Sequence, residues 1–407
     1  MAMKHLDLLK KAGFTLGVLL VFILGQQLAV PGVGPGGTHA LTDSTLLRLY
    51  SLTTGGQVAR PTLLSLGLGP FMLAMLSWQA FAAMDLPFVS RWSDRRRGRI
   101  QRGLTTLFAL LQALVTAFYL RFDLVPTRLF GVNVSLPLVV LLLVAGGLVV
   151  AALATANIGH GLGGALILIV PNLILSLPQE FRAGFGRSLQ DWSWPLFAAA
   201  VVLGLVVVLV SLRFNRAVLH LPVERATLLS TYGESDLTLP ALPAGVLPYL
   251  FAAALLATPR EIVLVFHQAN SPVGSFIVNQ LTFTRWPGIA LYALLIIGLT
   301  YLLGLISVAP DRLARGLQES GDYLLNVFPG ADTEKLLMQR FKQLNFVATG
   351  WLLLVMVLPL VVGMLWAPAA NLSLVFTNLA LLIAVFTKVA EQIVALWRRR
   401  DYRLFTE

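Results

Sequence analysis

The chain contains no cysteine, which excludes disulfides, thiolate zinc sites and thiol nucleophiles. Histidine is nearly as scarce. The five present, His5, His39, His160, His220 and His267, are scattered without metal-ligand spacing, so no metal is expected. Charge is the third shortage, at 12% of 407 residues, where soluble domains carry roughly 25%. With 57% hydrophobic residues and a mean hydropathy of +0.80, the chain must place most of itself in lipid. No nucleophile, acid-base pair or metal set stands out, which argues against an enzyme and leaves no cofactor to expect.

What is present begins with ten apolar segments long enough to cross the hydrocarbon core, at roughly 12–30, 61–84, 103–121, 135–157, 162–178, 194–213, 245–262, 287–309, 344–364 and 371–394. An even count puts both termini on one side. With those termini cytoplasmic, 22 of the 30 Lys and Arg lie inside, as the positive-inside rule requires. The net charge of +11 therefore reads as topology plus a basic cytoplasmic face, not as nucleic-acid binding. Lys4, Lys10 and Lys11 before an apolar run imitate a signal peptide, but no small-x-small cleavage site closes the run and nine spans follow. Trp194, Trp286, Trp366, Trp92 and Trp397 fall near the interfaces, where an aromatic belt anchors spans.

Comparison of residues 1–190 with 191–407 exposes a repeat. Gly67-Leu68-Gly69-Pro70-Phe71-Met72-Leu73-Ala74 and Gly245-Val246-Leu247-Pro248-Tyr249-Leu250-Phe251-Ala252 share G-x-x-P-(F/Y)-(M/L)-x-A, and each opens the second span of its half. Five spans per half is an odd number, so the halves face opposite ways and a site is expected at their interface near mid-membrane. Convergence of two Gly-Pro helix starts is the alternative at this stage. The spans carry no set of ionisable side chains such as an ion-coupled transporter needs; Lys388 and Glu391 are spaced for an i,i+3 pair at a span end. Gly159–Gly164 satisfies G-x-G-x-x-G, yet it lies between two spans with no βαβ unit and reads as a tight turn. The long connection 31–60 holds an amphipathic stretch, Leu41–Leu52, followed by Gly55-Gly56; it fits either a mobile helix in the external mouth or a surface loop.

Leu64–Met72, Gly98-Arg99-Ile100-Gln101, Ala244–Pro259, Ala290–Ile297, Ser320-Gly321-Asp322 to Pro329-Gly330, and Leu381-Leu382-Ile383 follow one another as a series of motifs. In this order they resemble the SecY/Sec61-alpha protein translocase channel family. The resemblance covers essentially the whole chain. It implies an all-α membrane protein of ten transmembrane helices in two inverted five-helix halves around an hourglass pore, embedded in the lipid of a bacterial cell membrane. A pore ring of Leu68, Met72, Ile169, Leu250 and Ile383 follows from the alignment, with Val170 competing with Ile169. The repeat by itself already pairs Met72 with Leu250. Also implied are a plug carrying Leu46, Leu47, Leu49 and Tyr50, a lateral gate with Gln79, Gln112 and Leu256, and cytoplasmic docking loops 213–244 and 310–343. Arg213, Arg216, Arg312 and Arg315 of those loops would meet a SecA-type ATPase. Small SecE/SecG-like membrane subunits and a secreted preprotein substrate complete the implied partners.

Two departures bear on the branch. Phe328 stands where general SecY proteins carry an arginine before Pro-Gly, and Ala154–Gly161 lacks the usual charges. With the short chain, they are most like the accessory SecY of Gram-positive bacteria, which exports serine-rich glycosylated adhesins. Housekeeping SecY is the alternative and a secondary transporter the more distant one. Leu143 is expected to face lipid.

Overall fold

The computed structural model describes residues 2–31, 51, 53–56, 62–83, 92–120, 128–129, 132–133, 135–185, 194–225, 235–265, 271–283, 285–325, 327–365 and 370–398. The ten expected spans are all there. The first half holds Ala2–Gly25, Gly69–Ala83, Asp94–Tyr119, Ser135–His160, and a 3-10 turn Ala165–Ile169 that runs into Val170–Phe185. The second holds Trp194–Arg216, Leu247–Val265, Trp286–Val308, Ala331–Leu352 continued through a π turn Leu353–Val357 into Leu358–Leu365, and Ala370–Arg398. The π turn ends just before Pro359, whose missing N–H removes the helical bond to Val355 and whose ring crowds that carbonyl.

Eight of these spans are long and apolar enough to cross a membrane unaided; the exceptions are spans two and seven, where the repeat lies. Span two has 15 helical residues, about 22 Å at 1.5 Å per residue against a core of about 30 Å. Turns at 63–68 and 241–246 lead into the two helices. Irregular backbone survives at membrane depth only where protein covers it, and Leu64, Leu66, Leu68, Ala244 and Val246 are accordingly buried.

Packing repeats between the halves. Span two packs on three and three on four; span seven packs on eight and eight on nine. The halves touch along two seams. On one, span seven meets spans two and three while span eight meets span two; on the other, span five meets span ten. One core cluster draws buried residues from both halves. Tyr292 of span eight lies edge-on to Tyr249 of span seven and to Phe283, with ring centroids 6.2 and 5.0 Å apart.

The Gly159–Gly164 motif is a turn, as expected. Gly163 and Gly164 both take positive φ, Asn157 Nδ2 donates to the Leu162 and Gly164 carbonyls at 2.8 and 2.7 Å, and Gly163 N–H donates to Gln392 of span ten at 2.7 Å. These contacts seat the start of span five.

The long connections hold more order than the sequence suggested. A hairpin, β1 (Arg128–Leu129) with β2 (Val132–Asn133), follows span three. Strands β3 (Val218–Arg225), β4 (Ser235–Pro240) and β5 (Asp322–Leu324) form an antiparallel sheet in the order β4-β3-β5. It ties the connection after span six to the one after span eight. Leu221, Leu239 and Leu324 turn inward onto Ala314, Leu337 and Phe341. Tyr323 faces Glu224 across β3 and β5, and the hydrogen bond to that carboxylate pushes the phenol above its ordinary value.

Candidate functional site

The two copies of the repeat share backbone conformation. Gly67 and Gly245 have φ of +54° and +60°, left-handed values that favour glycine, and each helix begins two residues later with proline next. The first turns close alike, Met72 N–H to Leu68 O at 2.9 Å and Leu250 N–H to Val246 O at 3.4 Å. Met72 and Leu250 are both buried in the common core. The agreement in φ, helix start and burial supports an inverted duplication over convergence.

Leu68, Met72, Ile169 and Leu250, drawn from spans two, five and seven, belong to that same cluster. Ile169 ends the 3-10 turn and Val170 begins the helix; both are buried, so burial does not choose between them. Ile383 is half-buried, with Leu381, Leu382, Ala384 and Val385 around it in sequence buried in the core. Leu143 does not face lipid: it is fully buried beside Leu66, Ala113, Ala117 and Val139, where span four packs on span three. Leu141, two residues earlier, is the outward-facing leucine, 65% exposed.

Along the first seam Gln79 is half-buried, while Leu256 and Gln112 are buried; among the described residues neither amide atom of Gln112 has a hydrogen-bond partner. Leu46, Leu47, Leu49 and Tyr50 lie outside the described residues. Behind them in the chain, Thr53 and Thr54 are helical and buried. Arg213, Arg216, Arg312 and Arg315 are all exposed, the first pair at the end of span six and the second on helix Pro310–Ser320. The β3–β5 pairing brings their two connections into one body. Phe328, in that body, is 80% exposed. Lys388 and Glu391 form the expected surface pair at 2.9 Å.

The sequence reading missed one buried group. Ending span five at 178 left Glu180 in a connection, but the helix continues through Pro178 to Phe185 and buries it. Asn378 of span ten, fully buried, points Nδ2 toward Leu173 O at 3.0 Å, Ser176 Oγ at 2.7 Å and the Glu180 carboxylate oxygens at 3.4 and 3.3 Å. Asn378 in a helix facing Ser and Glu of another was the available signal, since polar groups inside spans seek each other.

Two inverted five-span halves that share one buried apolar core have the architecture of a membrane channel. The comparisons name the family. The SecY family model matches residues 62–390, and the chain belongs to the SecY family of protein translocase channel subunits, which are channels and not enzymes. The chain is 28% identical to the protein translocase subunit SecY of Mycoplasma capricolum, over 96% of this chain and 87% of that one. It is 26% identical to the accessory Sec system protein translocase subunit SecY2 of Streptococcus sanguinis, over 97% of each. Among solved structures it is similar to one described as a protein conducting channel, with a TM-score of 0.64, 14% identity, and coverage of 98% of this chain and 94% of the other. The chain is thus a multi-span protein of the cell membrane.

Proposed function

We propose that this chain is the channel subunit of an accessory export system, passing unfolded polypeptide outward between its two halves. The observation that supports a gated pathway is the single buried apolar cluster shared by Leu68, Met72, Ile169 and Leu250, from three spans and both halves. A narrow ring of such side chains gives water no partner and seals by dewetting, while a soft residue such as Met72 fits many passing side chains. Ile383 completes the ring from span ten. The seam of spans two and three against seven and eight, with Gln79, Gln112 and Leu256 along it, is the side exit toward lipid.

The channel does no chemistry, so the driving energy comes from a SecA-type ATPase on the basic face bearing Arg213, Arg216, Arg312 and Arg315, the face on which both termini lie. SecE/SecG-like small subunits, or their accessory replacements, pack on the lipid-facing flanks. Phe328 and the uncharged Ala154–Gly161 favour a dedicated accessory ATPase and serine-rich glycosylated substrates. Relatives named SecY and SecY2 match at similar identity, so the housekeeping reading is the alternative. Proteoliposomes holding the chain and its small subunits test the choice. The accessory ATPase should drive protease-protected import of substrate and the housekeeping one should not; equal drive by both would overturn the accessory assignment.

A further inference from the structure

The connection from span seven to span eight is built unlike an aqueous loop. From Ile262 to Thr284 the chain holds no Asp, Glu, Lys or Arg. Part of this stretch is a helix of nine residues, Pro272–Gln280, capped by Ser271, whose Oγ accepts the Gly274 N–H at 3.0 Å. Nine residues rise about 13 Å, less than half of what a span needs. One face of the helix turns inward: Gly274 is buried, and Leu281 just beyond it packs on the common core. The other face carries Val273 and Phe276, one turn apart and 70% and 58% exposed. Apolar side chains thus lie on both faces of a helix without a single charge, a composition that water disfavours.

The helix is held at a definite place. It packs on spans seven and eight. Phe283, which follows it, is buried with its ring centroid 5.0 Å from that of Tyr292. The Thr282 carbonyl oxygen occupies the space that a Cβ on Gly288 would take, and it accepts the Arg285 N–H at 3.3 Å. Trp286 then opens span eight, 53% exposed, at the level where an aromatic belt marks the membrane surface. The tight turn between Leu281 and Arg285 keeps the helix beside that level.

We infer that Pro272–Gln280 is an interfacial helix that sinks Val273 and Phe276 among the lipids of the outer leaflet, next to the exit proposed between spans two and three and spans seven and eight. The side of the membrane rests on the orientation given by the charge split, and the neighbouring exit on the pore reading; the contact with lipid rests on neither. An uncharged helix beside Trp286 and Arg285 fits the boundary of headgroups and acyl chains. There apolar side chains bury about 5–10 Å deep while a polar one such as the exposed Asn279 reaches water.

The full chain, free of native cysteine, tests this in vesicles of phosphatidylethanolamine and phosphatidylglycerol. Phe276→Cys carrying an environment-sensitive fluorophore should lose most of its emission to a nitroxide near the lipid headgroup, less to one at the acyl-chain end, and little to iodide in the buffer. Two exposed positions calibrate the response: Leu141→Cys in span four should answer to lipid nitroxides alone, and Gly316→Cys on helix Pro310–Ser320 to iodide alone. If Phe276→Cys fails to accumulate, Val273→Cys on the same face reads the same depth. Iodide quenching equal to that at Gly316→Cys would place the face in water and overturn the anchor. Protection from all three quenchers would mean that protein covers the face, a small subunit or a second copy, and would overturn it equally. The side is read separately, by an impermeant maleimide on Asn279→Cys in intact cells. Labelling from outside supports the outer leaflet, and labelling only after the cells are opened would overturn the orientation without touching the lipid contact.

Discussion

The starts of span two and span seven have the same local geometry and opposite surroundings. Both place a glycine at positive φ two residues before the helix. At Gly67, an added Cβ would lie 2.5 Å from both Gly56 N and Thr54 O; at Gly245 it would meet nothing within 4 Å. The first start is packed under residues 54–56 on the proposed outer side, and the second opens toward the proposed cytoplasmic side. Duplication fixed the backbone turn, and the connection that precedes each copy decided what the turn is used for. One turn is covered by Thr54 and Gly56, and the other is left open.

The largest effect should separate the two glycines. Gly67→Ala carries about 1–2 kcal/mol for the left-handed residue and about 1–3 kcal/mol more for overlap, whereas Gly245→Ala carries the first cost alone. Thermal unfolding of the purified channel should show a much larger loss for Gly67→Ala; equal losses would erase the difference in surroundings. Next comes the seam between spans five and ten. Asn378→Leu removes the amide that meets Leu173 O, Ser176 Oγ and the Glu180 carboxylate and should cost about 1–3 kcal/mol in the same measurement, while Glu180→Gln should cost less. The reverse order would mean that the carboxylate serves something other than this packing. The smallest effects belong to the basic face. Reversal of Arg213, Arg216, Arg312 or Arg315 to Glu should leave stability nearly unchanged, since exposed pairs contribute about 0.2–1 kcal/mol, yet weaken ATPase binding in a salt-dependent way. Affinity unmoved by all four reversals would place docking elsewhere.

How much of this was legible in sequence depended on which physical signal each element carries. Ten apolar runs and the charge split sufficed for the spans, because lipid imposes length and polarity directly. The repeat was visible because Gly and Pro are costly to replace where a turn must feed a helix. Leu143 misled because a leucine within a span looks alike whether lipid or another helix covers it; only the neighbours Ala113 and Ala117, small enough to admit it, distinguish the cases. Glu180 was lost at a boundary, because the helix passes through Pro178 and runs on to Phe185, beyond the apolar run that ends at 178. The β3–β5 pairing escaped because its two strands come from connections about a hundred residues apart, and no local pattern announces it. The bonds from Gln26 to the Gly55 carbonyl and from Asn172 to the Ser51 carbonyl were invisible for the same reason.

Met72 and Leu250 are proposed to reach the same constriction from opposite halves. Ion conductance of reconstituted Met72→Asn, Leu250→Asn and Leu141→Asn channels tests it directly, with Leu141 as the outward-facing control. Both inner variants should leak strongly and to a similar extent, because either amide hydrates the ring, while Leu141→Asn stays closed like the unmodified chain. The same conductance in all three, or leak from only one of the repeat-related pair, would contradict a shared constriction.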